Sequence, residues 1–181
     1  MSTAAAARFS MSSRLLHWLM AVLILAMLFI GVGMTASVSR RYSLLVSIHR
    51  PLGIAILVLV GFRLINRLLT RSPPLPFTLP TAQRLAAHGS HLLLYILMFA
   101  MPLIGWGMLS AAGYPIVLWG AWQLPPILPQ QEGVYAFLRQ LHTILAYLFF
   151  VIVMMHLAAA LFHGLIRRDG VFESMASWRR K

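Results

Sequence analysis

Apolar residues along this chain fall into four long blocks, at about residues 15–35, 44–69, 85–110 and 137–166. A helix needs about 20 such residues to cross the hydrocarbon core of a bilayer, and each block is long enough to do so. The connections differ in kind. Residues 36–43 are few, so the first two spans are expected to be antiparallel neighbours. Residues 72–80 hold four prolines and predict an extended loop. Residues 111–136 form the longest connection and carry Tyr114, Trp119, Trp122, Pro125 and Pro126. Trp and Tyr favour the membrane interface, so this segment is expected to lie there. No internal repeat is evident. The pattern predicts an all-α integral membrane four-helix bundle, one domain over residues 1–181.

Composition supports lipid as the solvent. Of 181 residues 60% are hydrophobic and 10% charged, where a soluble domain carries about 25% charged residues. Residues 1–13 are small and polar, without the apolar region of a cleavable signal peptide, so the first block is expected to stay as a span. There is no cysteine, which excludes disulfides, iron–sulfur clusters and covalently attached c-type haem.

Charge sets the expected orientation. Fifteen Arg and Lys oppose three acids, for a net +12. These bases bracket the apolar blocks rather than covering one soluble face, so no nucleic acid is expected as a partner. Eleven bases fall on one side: Arg8, Arg14, Arg63, Arg67, Arg71, Arg84, Arg167, Arg168, Arg179, Arg180 and Lys181. Four fall on the other: Arg40, Arg41, Arg50 and Arg139. By the positive-inside rule both termini are expected in the cytoplasm. The four outer bases have one acid near them, Glu132, and are candidates for attracting an anion.

Seven histidines sit in or beside the spans. Ionisable groups there are costly and point to function. Their depths sort them. His17 starts the first span and His49 the second, so they lie near opposite faces. His142 and His156 are 14 residues apart in the fourth span, about 21 Å along a helix and about 40° short of four full turns. They share a stripe at two depths, His142 level with His49 and His156 nearer His17. Zinc asks for three or four ligands at one point. Two pairs at two depths suit two six-coordinate b-type haems, and bis-imidazole ligation favours electron transfer over oxygen binding. Gly53, Ala146 and Ala160 each follow one of these histidines by four residues and would let a flat macrocycle approach, or serve ordinary close packing. His88, His91 and His163 are candidates for alternative ligands, propionate partners or quinone contacts. Arg14, Arg63 and Arg84 are candidates for propionate contacts or interfacial anchors.

Several segments carry a family likeness. They are Arg14-Leu15-Leu16-His17-Trp18; Ser47-Ile48-His49 with Gly53-Ile54 and Arg63-Leu64; Ala87-His88-Gly89-Ser90-His91 with Tyr95; Leu141-His142-Thr143; and the run from His156 to His163. Together they resemble the bacterial cytochrome b561 family of four-helix, di-haem membrane cytochromes, over almost the whole chain. The resemblance implies haem ligation by His17 with His156 and by His49 with His142. It also implies a cytoplasmic-side quinone site with His163 as the best contact and, from the small stand-alone members, superoxide as electron donor and ubiquinone as acceptor. Pro51, two residues after His49, departs from the pattern and is expected to kink the second span. Two rival readings remain. One is a quinol-linked cytochrome b subunit docking on a dehydrogenase or hydrogenase partner. The other is a haem-free carrier or assembly protein.

Overall fold

The computed structural model describes residues 8–36, 40–74, 79–118 and 122–176. Four helices are long and apolar enough to cross a membrane: α1 (Met11–Thr35), α2 (Arg40–Leu69), α3 (Thr81–Ala111) and α4 (Glu132–Leu161). All four begin before the apolar blocks do. Their first turns are polar, but backbone hydrogen bonding continues past the hydrocarbon boundary, where polar side chains remain hydrated. Ser10 fixes the start of α1, its hydroxyl accepting from the Ser13 N–H at 3.2 Å. Of the residues invoked above, Trp119, Arg179, Arg180 and Lys181 lie outside the described segments.

Consecutive helices pack as antiparallel neighbours, α1 on α2 and α3 on α4, with α2 on α3 joining the pairs; α4 approaches α1 only sparsely. Met20, Ile24 and Leu28 of α1, four residues apart, bury against Ile56, Val60, Leu97, Met98 and Phe149. Large side chains such as Val22, Phe29, Leu92 and Val151 stay exposed on the outside, as lipid-facing residues do. α2 runs unbroken through Pro51, from Arg40 to Leu69.

The two ends of the bundle are closed differently. At the loop end, residues 112–118 and 122–131 fold back onto α3. α3 stops at a Schellman turn: Gly113 takes φ +73°, its N–H reaches the Ser110 carbonyl, and the Tyr114 N–H reaches Leu109. A short antiparallel hairpin follows, β1 (Val117–Leu118) on β2 (Trp122–Gln123), an element absent from the sequence reading because two-residue strands leave no periodic signal. Trp106 Nε1 donates to the Pro125 carbonyl at 3.0 Å, and the Ile127 N–H donates to Ser110 Oγ at 3.1 Å. At the terminal end, α4 continues as a π-helical segment, Phe162–Arg167, before the chain turns through Arg168 at φ 52° into α5 (Val171–Ala176). α5 is tied to α1 by Trp18 Nε1 donating to the Met175 carbonyl at 3.2 Å.

Candidate functional site

Three of the four principal histidines enter from different helices, and the fourth shares α4. At the terminal end, His17 of α1 and His156 of α4 stand with ring centroids 6.3 Å apart and planes inclined at 83°. At the loop end, His49 of α2 and His142 of α4 stand 6.2 Å apart and inclined at 70°. The steep inclinations rule out face-to-face stacking. Two imidazoles binding one metal from opposite sides, each with a bond of about 2.0 Å and a centroid about 1.1 Å further on, lie about 6.2 Å apart. Both pairs have that spacing. Pro51 has not displaced His49 from it.

Further observations fit a bound macrocycle. The Nδ1 atoms of His49 and His142 are buried without a hydrogen-bond partner among the described residues, so no other side chain claims either ring there. Gly105 of α3 lies behind His142, where a Cβ would come within 3.4 Å of Cε1. Among the described residues no three His, Asp or Glu converge as a metal cluster. The donor set is therefore pairs of imidazoles, which suits haem iron. A Cβ at Gly53 would meet Met27 Cε of α1 at 3.8 Å, ordinary contact distance.

The remaining histidines part company. His91 faces α4, its ring 5.4 Å from that of His156, shorter than two imidazoles on opposite sides of one metal would stand. His88, one turn earlier, is exposed and hydrogen-bonds through Nδ1 to the Arg84 carbonyl at 2.6 Å. His163, in the π segment, hydrogen-bonds through Nδ1 to Asp169 Oδ2 at 2.7 Å, and Arg167 Nε approaches the same oxygen at 3.4 Å. Asp169 Oδ1 also accepts from the Val171 N–H at 3.3 Å, which opens α5.

The arginines divide too. Arg63 reaches the terminal-end pair, with one guanidinium nitrogen 3.1 Å from His17 Nδ1 and Nε donating to the Tyr95 hydroxyl at 3.2 Å. Arg14 is buried in the first turn of α1, and Arg84 lies in the first turn of α3. Arg40, Arg41, Arg50 and Arg139 are carried to the loop end by the starts of α2 and α4, all but half-buried Arg50 being exposed. Gly105 and Asp169 were missed by sequence reasoning. Nothing distinguishes Gly105 among twelve glycines, whereas Asp169, one of three acids, was open to notice.

The family model for prokaryotic cytochrome b561 matches residues 8–178. The chain belongs to this family. It is 31% identical over 171 residues to "Cytochrome b561 homolog 2" of Escherichia coli, covering 93% of this chain and 90% of that protein. "Cytochrome b561 homolog 1" of the same organism is 29% identical over 176 residues, covering 96% and 99%. "Probable superoxide oxidase CybB" of Yersinia pestis is 29% identical over 171 residues, covering 91% and 93%. Membership makes this a multi-pass membrane protein of electron transfer that uses b-type haem, and it overrules the haem-free reading.

Proposed function

We propose that this cytochrome b561 holds two b haems, one between His17 and His156 and one between His49 and His142, and moves single electrons from superoxide at the loop end to ubiquinone at the terminal end. The observation that carries the reading is the pair of histidine couples, 6.3 and 6.2 Å apart, at the two ends of one bundle. Bound haem supplies reversible one-electron chemistry at iron.

The chain's own residues do the rest. The four imidazoles fix two redox centres on a path that runs along α4. Arg40, Arg41, Arg50 and Arg139 raise the positive potential at the loop end and draw in an anion. Each superoxide leaves as dioxygen after giving up one electron, so two donors serve one quinone, which also takes two protons. His163, with Nδ1 engaged by Asp169, has Nε2 available to a quinone oxygen at the terminal end. The positive-inside rule puts that end in the cytoplasm and the loop end outside a bacterial inner membrane. The name of the Yersinia pestis relative supports superoxide as donor.

A second reading has one observation in its favour. Trp122 on the folded-back loop is 81% exposed, as a docking residue for a dehydrogenase or hydrogenase partner would be, and the flanking bases would then meet an acidic protein.

Stopped-flow spectroscopy separates the two. Superoxide should reduce the haem bands rapidly, and added ubiquinone should reoxidise them. Reduction by quinol alone, with no response to superoxide, would transfer the assignment to the partner-linked reading.

A further inference from the structure

The environments of the two histidine pairs are unlike. At the terminal end, the Arg63 guanidinium from α2 lies 3.1 Å from Nδ1 of His17 on α1. It is steadied there by α3: Nε donates to the Tyr95 hydroxyl at 3.2 Å, and the guanidinium carbon lies 5.9 Å from the Tyr95 ring centroid. At the loop end, neither His49 nor His142 has a hydrogen-bond partner at Nδ1 among the described residues. Arg50, next to His49 in sequence, is half-buried and supplies a charge at this end, without a hydrogen bond to the ring at Nδ1.

A ligating histidine usually gives its second N–H to a carboxylate or carbonyl, which enriches the imidazole in electrons and stabilises oxidised iron. Arg63 reverses this arrangement. A guanidinium has only donors and is always charged, and the ring nitrogen opposite an iron-bound one carries a proton, so the group does not hydrogen-bond to the ligated His17 but stands as a cation beside it in a medium of low dielectric. That charge favours the state that holds the extra electron.

We propose that Arg63, positioned by Tyr95, raises the potential of the haem of His17 and His156 and so favours arrival of the electron at the terminal end. This rests on the ligand pairs and direction given under the proposed function. Arg63 acts through His17 and is a positioning and tuning residue. The arginine was singled out in the sequence as a propionate contact or an anchor; the contact with an axial ligand gives it a distinct role.

Redox potentiometry of the purified holoprotein tests this, with haem content measured alongside. His17→Ala identifies the terminal-end haem by its loss. Arg63→Gln should lower the midpoint of that haem and leave the other in place, with haem content unchanged. Arg63→Lys, which keeps the charge, should recover most of the fall. Tyr95→Phe, which keeps the arginine but releases it, should give a smaller fall in the same direction. Unmoved potentials in Arg63→Gln, or equal movement of both, overturn the proposal. So does haem loss from both Arg63 variants, since the arginine would then hold the macrocycle rather than tune it. If His17→Ala retains both haems, the ligand assignment itself has failed, and that failure is recognisable without any potential being measured.

Discussion

His49 of α2 and His142 of α4 face each other 6.2 Å apart at the loop end, although α4 packs mainly on α3 and the two histidines lie 93 residues apart in sequence. The couple repeats, at the other end of the same helix, the spacing of His17 and His156. α4 thus contributes one imidazole to each level, while α1 and α2, which run in opposite directions, contribute one each. Antiparallel packing of α1 and α2 turns two histidines near the starts of their helices into groups at opposite faces.

This arrangement predicts independent loss. His49→Ala or His142→Ala should remove the same single haem, about half of the total by pyridine haemochrome assay. The double variant should lose no more than either alone. Retention of full haem by either single variant would break the loop-end assignment.

Gly105 predicts a graded response. A methyl group there would sit 3.4 Å from His142 Cε1, ordinary contact distance, so Gly105→Ala should keep both haems. Gly105→Leu would drive extra carbon atoms into the imidazole, at about 1–3 kcal/mol for overpacking, and should release the loop-end haem selectively. Visible spectra and haem content of the two variants check this. Equal haem content in Gly105→Leu and the parent would show that His142 tolerates displacement.

The bundle was legible in the sequence because a bilayer demands long apolar segments, and four are present. The depths of His17, His49, His142 and His156 were legible for a related reason: a fixed rise per residue converts position into height. Rotation about the helix axis was less so, because it depends on packing. His88 and His91, three residues apart, were expected on one face, yet His91 turns toward His156 while His88 is exposed. The propionate or anchor roles of Arg63 were read from charge and location, and its contact with His17 required knowing which faces of α1 and α2 meet. Helix starts were placed late because hydropathy locates lipid, not backbone hydrogen bonds. The π segment and α5 left no signal of their own, being short and held by contacts with each other and with α4, and by Trp18 of α1.

Asp169 joins the terminal elements, and its loss should be felt locally. Both it and His163 retain some solvent exposure, 12% and 18% at the side chain, so Asp169→Ala should cost roughly 1 kcal/mol, below the usual range for charged hydrogen bonds. Haem content should not change. Quinone-dependent reoxidation in single-turnover experiments should slow, because His163 loses the partner that fixes its ring. Gly164→Ala should mimic this from a distance, since its new methyl would lie 2.9 Å from Phe172 Cγ and lift α5. Unaltered reoxidation in Asp169→Ala would detach His163 from the quinone step.

The bases at the loop end give the last prediction. Arg40, Arg41 and Arg139 are exposed and Arg50 is half-buried, at the starts of the two helices that carry His49 and His142. Their combined field should speed the encounter with a small anion, an effect that spans about 10–1000-fold in steered systems and fades as ions screen it. Replacing all four with Gln should slow haem reduction by superoxide about tenfold at low ionic strength. The two proteins should converge as salt is raised toward about 1 M, where the Debye length falls to about 3 Å. Topology is not at risk, because removing bases from the side where they should be scarce strengthens the charge bias that orients the bundle. Reduction by a neutral donor should be unaffected in the same variant. An identical rate and salt dependence with superoxide would mean that the anion reaches the haem without electrostatic guidance.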